Sequence, residues 1–382
     1  MTDVLIVGGG PSGLATAIAC RSKGLDVRVL DRRRPPLDKA CGEGLMPDGV
    51  ASLEALGVAL DPDRQHPFRG IRWINGDSDS ESSDDGAVAE GHFPDTPGLG
   101  VRRLDLHRAL LRRAEEVGVE LDWGTTVHRL DGDGLATSAG RYSAPWIVGA
   151  DGLRSRLRTW LGLGDSRVDG PKSRGARFGV RRHYRLAPWS PFVEVTWVAG
   201  CEAYVTPVAH DEIGVAFLWS GEKGGFDHHL DRFPEIARRL EGAEVVSKDR
   251  GAGPLRQKAR RVVLRRGAAR FALVGDAAGY VDAITGEGLS LAFHQAQALA
   301  QAIDDDDAPA YARACRRLAR LPDALTHLLL LVERWPRLRR RVLAALHRDP
   351  ELFSRLLAIH CRAVPWHHRG WNTVPRLLWG VL

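Results

Sequence analysis

Cysteine is scarce in this chain and nowhere paired in sequence. The five residues stand at 20, 41, 201, 315 and 361, an odd number without a CxxC spacing. That pattern argues against a disulfide framework and a thiolate metal centre, so a reducing, cytoplasmic setting and no metal are expected. No apolar run approaches the ~18 residues of a membrane-spanning helix. The sequence also enters a strand pattern at once, so no secretory leader is expected. Lysine is nearly missing: it occurs only at 23, 39, 172, 223, 248 and 258, within 54 basic residues. The net charge of +6 is thus carried by arginine spread along the chain, and no compact basic block argues for nucleic acid. No internal repeat is visible. With 382 residues, 44% of them hydrophobic, the chain is long enough for more than one domain.

What the sequence does have begins at its first strand. Val4 to Val7 is an apolar run, followed directly by Gly8-Gly9-Gly10-Pro11-Ser12-Gly13. Leu14 to Cys20 opens a helix that Gly24 ends. Leu25 to Leu30 is a second apolar run, closed by Asp31. Strand, glycine turn, helix, strand and acid form the dinucleotide-binding fingerprint. Gly8 permits the tight turn, Gly10 lets backbone approach a pyrophosphate, and Gly13 lets the helix lie close to the strand. The free N–H groups at the helix start, with Pro11 and Ser12 in its first turn, suit phosphate. Asp31 is placed to accept hydrogen bonds from a ribose diol, with Arg32 next to it. The fingerprint by itself leaves NAD and FAD open.

Further along, Lys39 to Leu45 is a small-residue loop, and a helix is expected from Asp48 to Leu56. Pro67 to Ile74 reads as one strand. Residues 75–86 are almost all Gly, Asp, Ser and Glu and read as a solvated loop. A helix opens near Arg103, with Leu104, Leu106, Leu110 and Leu111 as its apolar face. Val119 to Trp123 is a strand, Val127 to Tyr142 a hairpin around Asp131 to Gly134, and Ala144 to Gly149 a buried strand. Between Arg177 and Trp219 short β-like runs rich in Phe, Tyr and Trp predict a separate antiparallel sheet. Phe233 to Leu240 and Leu289 to Ile303 read as helices. The tail from Tyr311 is helical, rich in Leu and Arg, and broken at Pro336.

Three distant motifs occur in a fixed order. Gly8 to Gly13 comes first. Asp151-Gly152-Leu153-Arg154-Ser155-Arg156-Leu157-Arg158 fits DGxxSxxR, and Gly275-Asp276 ends a late strand. Over about residues 1–305 the chain therefore resembles the flavoprotein monooxygenase and geranylgeranyl reductase superfamily. That resemblance implies an α/β (α+β) fold of the glutathione-reductase type. An FAD-binding Rossmann domain would be interleaved with an antiparallel-sheet substrate domain and followed by a helical tail. The expected FAD-binding parts are 1–66, 101–170 and 256–305, the substrate parts 67–100 and 171–255, and the helical region 306–382.

The resemblance also implies FAD as cofactor, with NAD(P)H docking transiently as electron donor, since no second fingerprint is present. Gly8, Gly10 and Gly13 would hold the pyrophosphate and Asp31 the adenosine ribose. Arg103 would reach the phosphate or ribose side, and Gly275-Asp276 would meet the ribityl chain. Asp151 would serve partly structure and partly nucleotide binding. Thr285-Gly286-Glu287-Gly288-Leu289 should lie beside the flavin ring, offering backbone N–H groups and a helix N-terminus. This TGEGL loop looks more like the reductase branch than the oxygenase GQGxN. Cys41-Gly42-Glu43-Gly44-Leu45 resembles the reductases' CGxGL, so Cys41 reads equally as a pocket thiol and as a small residue in a tight loop. Tyr204-Val205-Thr206-Pro207 replaces the WxWxIP of flavin halogenases, which argues against halogenation.

The first expectation is a single-component NAD(P)H-dependent monooxygenase. It would use O2 through a flavin C4a-hydroperoxide on an apolar aromatic or polyketide-like small molecule. The alternative is a geranylgeranyl-reductase-like enzyme that saturates isoprenoid C=C bonds. A non-catalytic flavin- or lipid-binding protein is the third reading. The Leu-rich tail reads either as helices covering the substrate sheet or as a lid or peripheral membrane contact.

Overall fold

The computed structural model describes residues 2–77, 88–164, 176–221 and 224–364. Most of the loop expected at 75–86, and the Trp371 to Trp379 end of the tail, lie outside the described residues. The architecture is mixed α/β, as expected.

The strand Val4–Val7 is the centre of a six-stranded sheet. It pairs in parallel with Val27–Asp31 on one side and Trp146–Gly149 on the other. Glu120–Trp123 and Ala269–Leu273 extend the parallel set, and Val263–Arg266 closes one edge as an antiparallel partner. All four residues of the central strand are buried, as a strand covered on both faces requires. The helices Pro11–Arg21, Arg103–Glu116 and Gly288–Asp304 pack together on one face, and Leu14, Ile18, Leu106, Leu110, Phe293 and Leu299 join one core cluster. Leu104 is less buried than the apolar periodicity predicts.

The larger, predominantly antiparallel sheet is built from Arg177–Arg185, Glu212–Ser220, Cys201–Ala209 and Val193–Val198. It continues through Gly70–Asn75, which pairs with Val193–Val198 in parallel, so the sheet is not purely antiparallel. The strand expected over Pro67 to Ile74 is in fact two. Gln65–Phe68 joins a small sheet with Gly98–Val101, and Gly70–Asn75 joins the large one. The break falls where Gly70 passes the backbone of Gly91 so closely that a Cβ would stand 1.9 Å from its carbonyl oxygen. The expected hairpin over 127–142 is a three-stranded meander, because a second turn at Ser138-Ala139 follows the one at Gly132.

The tail forms three helices, Ala308–Arg334, Pro336–Arg348 and Pro350–His360. Two of these begin on a proline, whose fixed φ suits a helix start. Their apolar sides cover the large sheet. Phe353 packs tilted against Trp73 with ring centroids 4.6 Å apart, and Trp73 itself meets Trp197 at 5.7 Å. Leu343, Leu346 and Phe353 are almost completely buried there. At roughly 1.5–3 kcal/mol for each such side chain, this contact holds the tail to the sheet.

Candidate active site

The glycine turn does locally what its sequence requires. Gly8 has φ +112, and a Cβ there would lie 2.4 Å from the Ala150 carbonyl oxygen. A Cβ on Gly13 would lie 1.9 Å from the Gly8 oxygen, so the helix can start this close to the strand only without a side chain. Gly10 differs. A Cβ there would meet nothing nearer than Arg103 Nη2 at 3.8 Å, so the open side of the turn faces a guanidinium. Gly10 is also the helix N-cap and has no side chain to satisfy the first N–H groups. Asp31 closes the second strand and accepts from Gly9 N–H at 2.9 Å and Arg33 N–H at 2.8 Å. Two carboxylate oxygens keep lone pairs free for a diol. From behind, buried His107 donates to the Gly9 carbonyl at 2.9 Å.

These groups line one end of a cavity of about 860 Å³. The expected residues Gly8, Gly10, Pro11, Ser12, Asp31, Arg32, Arg103, Asp151, Asp276, Thr285, Gly286, Gly288, Leu289 and Cys41 all face it. Three expected residues do not. Gly13 acts by packing alone. Gly275, at φ +61, supports the wall: a Cβ would stand 2.2 Å from Ser12 Oγ, and its N–H donates to Gln295. Glu287, expected at the ring loop through its backbone, is not among the residues that line the cavity. Its side chain turns away from the cavity, is buried, and lies 3.1 Å from His360 Nδ1. Burial pushes the Glu287 carboxyl up, with His360 opposing. His360 Nε2 in turn contacts the Thr285 carbonyl at 3.1 Å, so the last described helix braces the 285–288 loop.

Asp151 has two roles in space. Oδ2 accepts from the N–H groups of Arg156 and Leu157, capping the helix Arg156–Trp160. Oδ1 is buried without a partner. Arg158 of the same motif is 3% exposed and donates to the carbonyls of Asp276 and Ala277, to Leu153 O and to Gln257. The DGxxSxxR arginine thus fixes the Gly275-Asp276 turn at the cavity wall.

The Cys41 to Leu45 loop is held from all sides. Thr206 donates to the Gly42 carbonyl at 2.9 Å, and Glu43 Oε1 accepts from Arg103 N–H at 2.8 Å. Glu43 Oε2 meets His183 Nε2 in a short buried contact, and His183 Nδ1 lies 2.8 Å from Ser247. Burial raises the Glu43 carboxyl's affinity for a proton, but His183, Arg181 and the Arg103 N–H more than reverse this, leaving it below the usual carboxylate range. Glu43 also carries φ +62, a left-handed conformation that its contacts must maintain. Cys41 faces the cavity at the start of this loop. Burial pushes its thiol up, with Arg103 opposing, so the protonated form dominates at neutral pH.

Beyond the loop the cavity turns apolar. Phe68 from the small sheet and Trp73, Val195 and Tyr204 from the large one line it together with Leu329, Val332, Val342 and Leu346 from the tail helices. Behind Tyr204 lies a buried cluster absent from the sequence-based expectations. Arg177 meets Glu202 at 3.0 Å, Asp282 at 2.9 Å and Glu333 at 3.7 Å. Tyr204 donates to Glu202 at 2.9 Å. Three carboxyls around one guanidinium cannot all ionise at low cost. Burial pushes Glu202 up to about 7, with Arg177 opposing.

An open glycine turn facing Arg103, an orphaned Asp151 oxygen and two helix N-termini without side-chain caps suit a dinucleotide. The fold and this site define a dinucleotide-binding protein. The chain belongs to the FAD binding domain family, whose model matches residues 1–305, and it is an FAD-dependent oxidoreductase. It is 26% identical over 326 residues to a digeranylgeranylglycerophospholipid reductase of Methanosphaera stadtmanae, covering 80% of this chain and 79% of that protein. A menaquinone reductase of Mycolicibacterium smegmatis is 34% identical over 174 residues, but that match spans 41% of this chain and 40% of the relative. Among solved structures, a flavoprotein/dehydrogenase from Cytophaga hutchinsonii superposes with a TM-score of 0.79 over 98% of this chain and 96% of that one. At 18% identity that likeness establishes the fold.

Proposed function

We propose that this FAD-dependent oxidoreductase reduces C=C bonds of an apolar, isoprenoid-type molecule, drawing electrons from NAD(P)H. The observation that carries the reading is the position of Cys41. Its protonated thiol lines the cavity on a loop tied both to Arg103 and to Thr206 of the large sheet. Saturating a C=C bond takes one hydride and one proton, and a neutral thiol facing the cavity is a proton source. The chamber walls, Trp73, Val195, Leu329 and Val332 among them, suit a hydrocarbon chain better than a polar metabolite. The extent of the match to a lipid reductase supports the same direction.

FAD, when bound, supplies the hydride. The protein's own groups do the rest. Gly10, the N-terminus of the helix Pro11–Arg21 and Arg103 would hold the phosphates, Asp31 the adenosine ribose, and Asp276 the ribityl hydroxyls. The backbone of Thr285 to Gly288 would meet the ring. Glu43, fixed by His183 and Arg181, sets the loop that presents Cys41. The tail helices wall the chamber with apolar side chains and keep water from it. The reaction is read as cytoplasmic.

A monooxygenase acting on an aromatic or polyketide-like molecule is the second reading. The aromatic wall of Phe68, Trp73 and Tyr204 favours it. The test is a single turnover. FAD-loaded protein is reduced chemically under nitrogen and mixed with a prenylated acceptor. Flavin reoxidation with loss of one C=C bond per flavin supports the proposal. Flavin that stays reduced until air is admitted refutes it.

A further inference from the structure

The described residues leave few large apolar side chains in the open. Apart from Val245 they are Leu328, Leu331 and Trp335, at 44%, 48% and 58% exposure. Their spacing places them along one side of the last turns of the helix Ala308–Arg334 and its C-cap. The adjoining side of the same turns belongs to the chamber, through Leu325, Leu329 and Val332. Leu328 belongs to both: it lines the cavity and is exposed. The chamber therefore reaches the surface at Leu328, inside the exposed apolar strip.

Charge of one sign adjoins this strip. The next helix, Pro336–Arg348, exposes Arg337, Arg340 and Arg341. With Leu338 they line a surface concavity of about 450 Å³. Each lacks a hydrogen bond or ion pair among the described residues, while many arginines elsewhere are engaged with carboxylates. The nearby acids are turned elsewhere. Glu333 is buried towards Arg177, and Glu351 pairs with Arg355. The intervening Arg339 is itself buried and spent on Asp77. Three unpaired cations beside two leucines and a tryptophan match an interface of phosphate headgroups above acyl chains.

We propose that the face formed by Leu328, Leu331, Trp335, Arg337, Arg340 and Arg341 docks on an anionic phospholipid bilayer and that Leu328 is the portal through which substrate enters the chamber from the lipid. The arginines sit at the level of the headgroup phosphates, and the apolar strip dips to the acyl boundary. The portal part rests on the proposed apolar substrate; the docking part stands without it.

The test is cosedimentation of the FAD-loaded full chain with phosphatidylcholine vesicles, with and without phosphatidylglycerol. Binding is expected only when phosphatidylglycerol is present. The triple change Arg337→Gln, Arg340→Gln, Arg341→Gln is expected to weaken it roughly 100-fold, from the contribution of each basic residue near an anionic surface. Leu331→Glu with Trp335→Glu is expected to abolish it. All of these positions are exposed, so flavin content and thermal midpoint should stay at wild-type values in both variants. Wild-type protein that ignores phosphatidylglycerol vesicles overturns docking, as do variants that sediment like wild type. Release by inorganic phosphate, but not by chloride at matched ionic strength, also overturns it, because the concavity is then a free-anion site. Vesicle binding without turnover of any isoprenoid leaves docking intact and removes the substrate reading; the reverse outcome removes docking alone.

Discussion

Arg158 Nη1 donates to the backbone carbonyl of Asp276 at 3.2 Å, across 118 residues of sequence. The same guanidinium holds Ala277, Leu153 and Gln257, so two motifs at the cavity wall share one buried cation. Its charge is balanced by carbonyl dipoles and one amide, an arrangement a shorter ammonium cannot copy. Arg158→Lys is expected to lower the thermal midpoint and empty the flavin site together, with Arg158→Met costing about 3–5 kcal/mol in urea unfolding. A variant with wild-type flavin content and stability would show that the link is dispensable.

Gly13→Ala tests the glycine turn. The added methyl would meet the Gly8 carbonyl at 1.9 Å, a backbone atom that cannot turn aside. FAD retention after gel filtration is expected to be lost. Gly10→Ala is expected to fold normally, since its Cβ has space, yet to weaken FAD at least tenfold by blocking the approach of the phosphates. Equal behaviour of the two variants would contradict the separate roles assigned to these glycines.

Glu202 predicts an unusual pH dependence. Its carboxyl is raised from 4.5 to about 7 in the folded protein, so folding favours the protonated form. The folded state therefore holds more protons than the unfolded state between those values. Stability attributable to this group is fully present at the acid end and declines as pH rises towards about 7. Glu202→Gln keeps the hydrogen-bonding shape without the charge. Comparing urea midpoints at about pH 5 and about pH 8 should show wild type losing stability relative to this variant, by up to about 3 kcal/mol. Parallel curves would mean that the Arg177 cluster is fully ionised throughout.

Cys41 is half-buried, whereas Cys20, Cys201, Cys315 and Cys361 are buried. Iodoacetamide should label Cys41 first, slowly at neutral pH and faster as pH rises, because its thiol is raised. Cys41→Ser is expected to bind and reduce flavin normally while turnover falls about 100-fold, the cost of losing a positioned proton donor. Unchanged turnover would reduce Cys41 to a small residue in a tight loop.

The parts of this site legible in the sequence are those whose physics is local. Gly8, Gly13 and Asp31 announce themselves because a turn, a close approach and an acid at a strand end are fixed within a few residues. Cys41 and the 285–289 loop were visible through short motifs. The strand break at Arg69 is hidden, since apolar residues stand on both sides of it and only the crossing of Gly70 over Gly91 separates the two sheets. Pairs made by topology left no local trace. Glu43 meets His183 across 140 residues, and Arg177 draws its acids from positions 202, 282 and 333. Each of those residues alone reads as a solvated charge. The tail reads in the sequence as Leu-rich helix, but which leucines face the sheet and which face outward depends on packing against Trp73 and Val195.

The oxygen requirement of turnover tests the central claim most directly. FAD-loaded protein, NAD(P)H and a prenylated quinone or isoprenoid lipid are incubated under nitrogen and in air, and the products are weighed by mass spectrometry. The account predicts a product carrying two added hydrogens, formed at the same rate without oxygen. A product that carries an added oxygen atom and forms only in air would contradict it.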